Sequence, residues 1–193
     1  MTSVAREALI ATAWRLFATV GYTGTSVEAI ARELGTSKRT IYEHFRDKEQ
    51  LLEAGAELAL RGADAEARRI IAETALHRER FRRLIEWLTR GAQHSHSPAM
   101  ADIRRGAPAV AERIEQQRRA MIRTHLSLAL EPATEGVAAA TADRERVAEV
   151  IAAAVAGIMA RGEAAQDLLA TAGDIERFLQ ITMNGLFGPE DKD

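Results

Sequence analysis

The sequence predicts an all-α protein, a three-helix head on a larger helical body, and three observations lead there. Apolar residues recur with the 3.6-residue period of helices along most of the chain. No stretch alternates apolar and polar residues in the manner of a half-buried strand. Gly21, Gly35, Pro98, Pro108 and Gly188-Pro189 fall where the apolar stripes break.

The first helix is expected from about Val4 to Val20, with Leu9, Ala13, Leu16, Phe17 and Val20 on one face, Trp14 beside it and Gly21 ending it. Ser26 is placed to cap a short second helix whose apolar face is Val27, Ile30, Ala31 and Leu34. Gly35 permits a sharp turn, and Ser37 caps a third helix that turns Ile41 and Phe45 inward. Asp47 caps a fourth helix, from Lys48 towards Ala75, which buries Leu51 and Leu52 against the head. Phe81, Leu84, Ile85 and Leu88 stripe the fifth, and a short helix follows from Pro98 to Gly106. The next starts at Pro108 and carries Val110, Ile114, Gln117, Met121, His125 and Leu128 on one face. Glu131 to Asp143, with Pro132 and Gly136, reads as a loop. Two more stripes close the chain: Val147, Val150, Ile151, Ala154 and Ile158, then Ile175, Phe178, Leu179, Thr182 and Leu186. The expected division is a head of residues 1–47 and a body of residues 48–193.

Composition narrows the function. The 193 residues are 47% hydrophobic and 28% charged, values of a globular chain and not of a disordered one. There is no cysteine, which excludes disulfides and thiolate metal sites. Arg6, Glu7 and Arg15 break up the N-terminal apolar residues, so no signal peptide is expected. No apolar run approaches the ~20 residues of a membrane span, and a cytoplasmic protein without a membrane partner is expected. The net charge of −2 argues against a protein that coats nucleic acid through bulk charge. Residues 1–50 nevertheless hold seven Lys/Arg against six Asp/Glu, so a small positive excess sits in the head.

Residues 25–48, TSVEAIARELGTSKRTIYEHFRDK, carry the function. Two short helices joined at a glycine, with Lys38, Arg39, Thr40, Tyr42 and His44 turned away from the apolar face, form a helix-turn-helix that suits the major groove of DNA. This stretch resembles the DNA-binding region of the tetracycline-repressor (TetR) family. The resemblance rests on Gly21-Tyr22, Thr25-Ser26-Val27, Ile30-Ala31, Gly35, the run from Thr40 to Phe45, and Lys48. It covers about the first quarter of the chain. It implies that Thr25, Thr40, Tyr42, His44 and Lys48 meet the DNA backbone or groove, and the cap residues Ser26 and Ser37 belong to the same surface. Lys38, Arg39 and Tyr42 are the candidates for base edges. Arg39 stands where the family commonly has a small residue, and Arg is the commonest reader of guanine. Glu43 either pairs with Lys38 or Arg39 or accepts from a cytosine amine.

The resemblance further implies a homodimer on an inverted-repeat operator in double-stranded DNA, and a small-molecule effector held in the body. The last two long helices, with Ala152, Ala153, Ala156 and Gly157, are the expected dimer contact. Gln117 and His125 interrupt an apolar stripe, and with Trp87, Met100, Ile114 and Met121 they form the candidate ligand set. The function expected is a sequence-specific regulator, a repressor released by its effector. The alternative is an architectural protein that binds DNA without sequence preference or ligand. A third reading, a metal-dependent hydrolase, rests on His94, His96 and Asp102 alone. Lacking a nucleophile-base set or a phosphate-binding glycine loop, the chain is expected to have no catalytic residue, metal or cofactor.

Overall fold

The computed structural model describes residues 3–95, 97–130, 141–165 and 168–187. These residues form nine helices: α1 (Ser3–Val20), α2 (Val27–Glu33), α3 (Lys38–Tyr42), α4 (Lys48–Glu73), α5 (His77–Ser95), α6 (Pro98–Gly106), α7 (Pro108–Ala129), α8 (Thr141–Ala165) and α9 (Leu168–Phe187). The fold is all-α as expected, with no strand among the described residues. Most of the expected loop and the Gly188-Pro189 stop lie outside those residues. The expected loop, whose alanines could support a helical turn, runs to Asp143, and α8 already begins at Thr141. The Thr141–Arg146 stretch contains neither proline nor glycine, so nothing in it opposes the helix.

Packing groups the chain into two compact units, Met1–Ala63 with Ser97–Arg118, and Asp64–His96 with Arg119–Asp193. The grouping does not follow the division expected at residue 47, and it joins α6 and the first half of α7 to the elements of the head. One core serves the first unit: Leu9, Ala13, Phe17, Ile30, Ile41, Phe45, Leu51 and Leu52 are buried together with Ile103, Val110 and Ile114. Two short helices cannot bury enough surface alone, and α1, α4, α6 and α7 supply the remainder. Val20 departs from expectation, standing 60% exposed. Gly21, at φ +93°, turns the chain so that Tyr22 fills the core instead, its ring 5.4 Å from that of Phe17.

In the second unit α5, α8 and α9 pack on one another. Phe81, Leu84, Ile85 and Leu88 are buried as their spacing predicts, with Ile151, Val155, Ile158 and Ile175. Val150 does not follow its stripe and is 63% exposed, while on α9 Ile181 is 67% exposed. No described helix is long and apolar enough to cross a membrane.

Candidate nucleic-acid interface

Two serines begin the helix-turn-helix. Ser26 accepts from the Ala29 amide and Ser37 from the Thr40 amide, each at 3.1 Å and each from extended backbone. Between them α2 closes through two backbone bonds: the Thr36 amide donates to the Ala31 carbonyl at 2.9 Å, and the Gly35 amide to that of Arg32 at 3.2 Å. Gly35 sits at φ +63°, where a side chain would be strained. The turn therefore sets the direction of α3. Ile41 and Phe45 anchor α3 and the residues after it in the core, which leaves Lys38, Arg39 and Tyr42 exposed, Tyr42 by 45%. Ser26 and Ser37 are exposed beside them, and Thr40 and His44 are half-buried.

The cations of this face are paired. Lys38 Nζ donates to Glu28 Oε1 and lies 5.7 Å from the centre of the Tyr42 ring. Glu28 is held below the usual carboxylate range chiefly by that bond, which also raises Lys38. Arg39 Nε donates to Glu43 Oε1 at 3.2 Å, so of the two roles open to Glu43 the free protein has the intrahelical one.

Two of the residues expected to meet DNA are engaged within the head. Thr25 is 2% exposed, and its hydroxyl donates to the Gly21 carbonyl at 2.6 Å. It closes the turn into α2 and presents no hydroxyl to a phosphate. Lys48 is half-buried: its ammonium donates to the carbonyls of Tyr22 at 2.8 Å and Thr25 at 3.1 Å, and sits 4.0 Å from the centre of the Tyr22 ring. Burial pushes this ammonium below the ordinary lysine value, with the Asp102 carboxylate opposing. Two of its three donors hold the turn, which restricts any phosphate contact to the third.

Asp102 of α6, considered from sequence only as a metal ligand, grips the same turn. Its Oδ2 accepts from the Thr23 amide at 2.8 Å and its Oδ1 from the Thr23 hydroxyl at 2.7 Å. These two donors depress its carboxyl below the usual range, and only 14% of the side chain is exposed. Gly106 explains how α6 comes so near: a Cβ there would stand 2.7 Å from the Tyr22 ring. No three His, Asp or Glu side chains converge among the described residues, and the His94 side chain and His96 lie outside them.

The six residues of the candidate ligand set divide between the units, Met100, Ile114 and Gln117 in the first and Trp87, Met121 and His125 in the second. Ile114 and Met100 pack in the core of the first unit, and Gln117 is exposed, having turned to water as a polar residue on such a stripe can. Met121 is half-buried. Trp87 and His125, both buried, meet edge to face at 6.1 Å. His125 Nε2 lies 2.7 Å from Asp64 Oδ1, and Asp64 Oδ2 accepts from Arg68 at 2.8 Å. Arg68 first and His125 after it keep the Asp64 carboxyl below its ordinary range. His125 Nδ1 is buried and meets no hydrogen-bonding group among the described residues. Sequence reasoning missed Glu28, Asp64 and Thr23. Only Asp64 left a signal, an acid four residues before Arg68 in an alanine-rich helix.

Residues 9–54 match the model of the bacterial regulatory proteins, tetR family. The chain aligns with only 18% and 27% of the lengths of two curated relatives. The second is the tetracycline repressor protein class C of Escherichia coli, 40% identical over 60 residues, 31% of this chain. Among solved structures, SCO4454, a TetR-family transcriptional regulator from Streptomyces coelicolor, superposes with a TM-score of 0.70 at 20% identity, covering 95% of this chain and 90% of that one. The regulator FadR from Bacillus subtilis, in complex with stearoyl-CoA, gives 0.62 at 15% identity, covering 96% and 100%. Over residues 9–54 this chain is thus similar to the tetR family of bacterial regulatory proteins, and along most of its length it has the fold of SCO4454.

Proposed function

We propose that this protein is a cytoplasmic, homodimeric, sequence-specific transcriptional regulator, a repressor released from its operator by a small molecule, and not an enzyme. The observation that carries the reading is the exposed trio Lys38, Arg39 and Tyr42 on a serine-capped helix anchored by Ile41 and Phe45. A helix so held is suited to the major groove, where Arg39 makes a two-pronged bond to guanine. Residues 1–47 meet DNA, and residues 48–193 serve dimerisation, through α8 and α9, and effector binding. Selection of bound fragments from random DNA tests this. It should return an inverted repeat whose half-site centres lie ~34–36 Å apart or a multiple of that. Arg39→Ala should relax the preference at one base pair by ~1–3 kcal/mol. Equal affinity for selected and random fragments would remove the specific-regulator reading.

The effector reading is supported by His125. A buried polar atom without a partner costs about 1–3 kcal/mol, and a ligand group bonded to Nδ1 would recover it. With Nε2–H donated to Asp64, the lone pair on Nδ1 calls for a donor on an otherwise apolar effector. FadR, bound to stearoyl-CoA, is a precedent for this fold binding a ligand with a long apolar chain. The effector favours a DNA-free form in which the two heads no longer match successive major grooves. A typical coupling lowers operator affinity about 5–150-fold. His125→Leu should blunt that response in an operator titration while leaving affinity without effector close to the starting value. Full response in His125→Leu would move the site elsewhere.

A further inference from the structure

Acids as well as cations line the recognition surface. Glu28 reaches from α2 to Lys38, and Glu43 lies one turn beyond Arg39 on the same face as its partner. Both pairs are open to solvent: the side chains of Lys38 and Glu28 are 50% and 60% exposed, those of Arg39 and Glu43 89% and 56%. Such pairs contribute little to folding, so stability does not account for carboxylates standing beside the groove-facing cations. The pattern extends through the head, where Arg15 pairs with Glu33 at 2.6 Å and Arg46 with Asp47 at 2.9 Å. Lys48 is held on carbonyl oxygens.

We propose that Glu28 and Glu43 are specificity-determining residues, which suppress attachment to DNA of arbitrary sequence by neutralising Lys38 and Arg39 in the DNA-free protein. Attachment without sequence preference comes from cations that neutralise phosphates and release counterions. A lysine already facing a carboxylate gains little by exchanging it for a phosphate, one anion for another, and the displaced carboxylate then stands near the DNA. At a matching sequence the same exchange brings the base contacts of Lys38, Arg39 and Tyr42 together, which outweigh the lost pairs. The glutamates thus weaken all DNA binding, and weaken binding to the wrong sequence most.

The inference rests on the DNA-binding reading, and its test separates the two. Glu28→Gln and Glu43→Gln remove the charge and keep the shape. Glu73→Gln makes the same change of net charge at the Arg69–Glu73 pair of the other unit. Affinity is measured on a random-sequence duplex and on a selected fragment across a range of salt, with far-UV circular dichroism to establish folding. The two head variants should bind random DNA about 3–10-fold more tightly, with a salt slope steeper by ~0.9 for each additional phosphate neutralised. Their ratio of selected to random affinity should fall, and Glu73→Gln should behave as the unaltered protein. Unchanged random-DNA affinity in both head variants overturns the proposal, as does a Glu73→Gln variant that reproduces their gain. An unaltered protein with no preference for the selected fragment would instead defeat the regulator reading, whatever the salt slopes.

Discussion

A chain carrying Val150→Arg and Ile181→Arg together is expected to be monomeric, to keep its helical content and to bind its operator about 10²–10⁴-fold more weakly. The last figure follows from the loss of linkage between two half-site contacts. Val150 and Ile181 are large apolar side chains exposed on α8 and α9, helices that pack on each other in the second unit. Ala153, Ala156 and Gly185 are exposed on the same helices and allow a partner helix to approach closely. Two such pairs meeting across a two-fold axis make a four-helix interface. Because both side chains already face water, the substitutions should change the stability of the isolated chain by only ~0.5 kcal/mol each. Ile158 and Phe178 are poorer probes. Ile158 is 8% exposed and Phe178 half-buried, so arginine there would damage the unit itself. Light scattering gives the mass and an operator titration the affinity, and a double variant that remains dimeric would put the interface on another face.

Phe45→Ala should destabilise the head by about 3–5 kcal/mol, the usual cost of removing a buried aromatic side chain. Phe45 is 2% exposed, belongs to the core of the first unit and has the Arg6 guanidinium 5.1 Å from its ring centre. It is also one of the two anchors of the recognition segment, so operator binding should fall with stability. Phe45→Leu, which keeps much of the volume, should cost ~1.5 kcal/mol or less and spare binding. Urea unfolding distinguishes the two. A loss under ~1 kcal/mol for Phe45→Ala would show that the head does not depend on this anchor.

Residues with local signals were legible before the fold was known. Ser26 and Ser37 cap where their positions predict, and Gly35 turns with the positive φ its place required. The stripe of α5 is buried residue by residue. What sequence could not supply was which element packs against which. Thr23 and Asp102 are 79 residues apart in the chain, and no periodicity joins them. Lys48 carries the residue type of a phosphate contact, and only the fold shows that its ammonium lies on the carbonyls of Tyr22 and Thr25. The candidate ligand set is a further case. One stripe on α7 suggested Ile114, Gln117 and His125 together, but Ile114 belongs to the first unit's core and His125 is buried in the second.

The grip of Asp102 on Thr23, and the burial of Ile103, Ala107, Val110, Ala111 and Ile114 in the same core as Leu9 and Phe45, bear on how such proteins can be recombined. A helix-turn-helix is commonly treated as an interchangeable cartridge, cut from one gene and fused to another. Here a graft ended at residue 63 would carry α1 through more than half of α4 without the surface that completes their core, and would leave apolar side chains bare on both donor and recipient. The transferable piece is discontinuous. A folded hybrid must bring residues 97–118 along with residues 1–63, or rebuild their contacts in the host, before the head can be exchanged independently of the body.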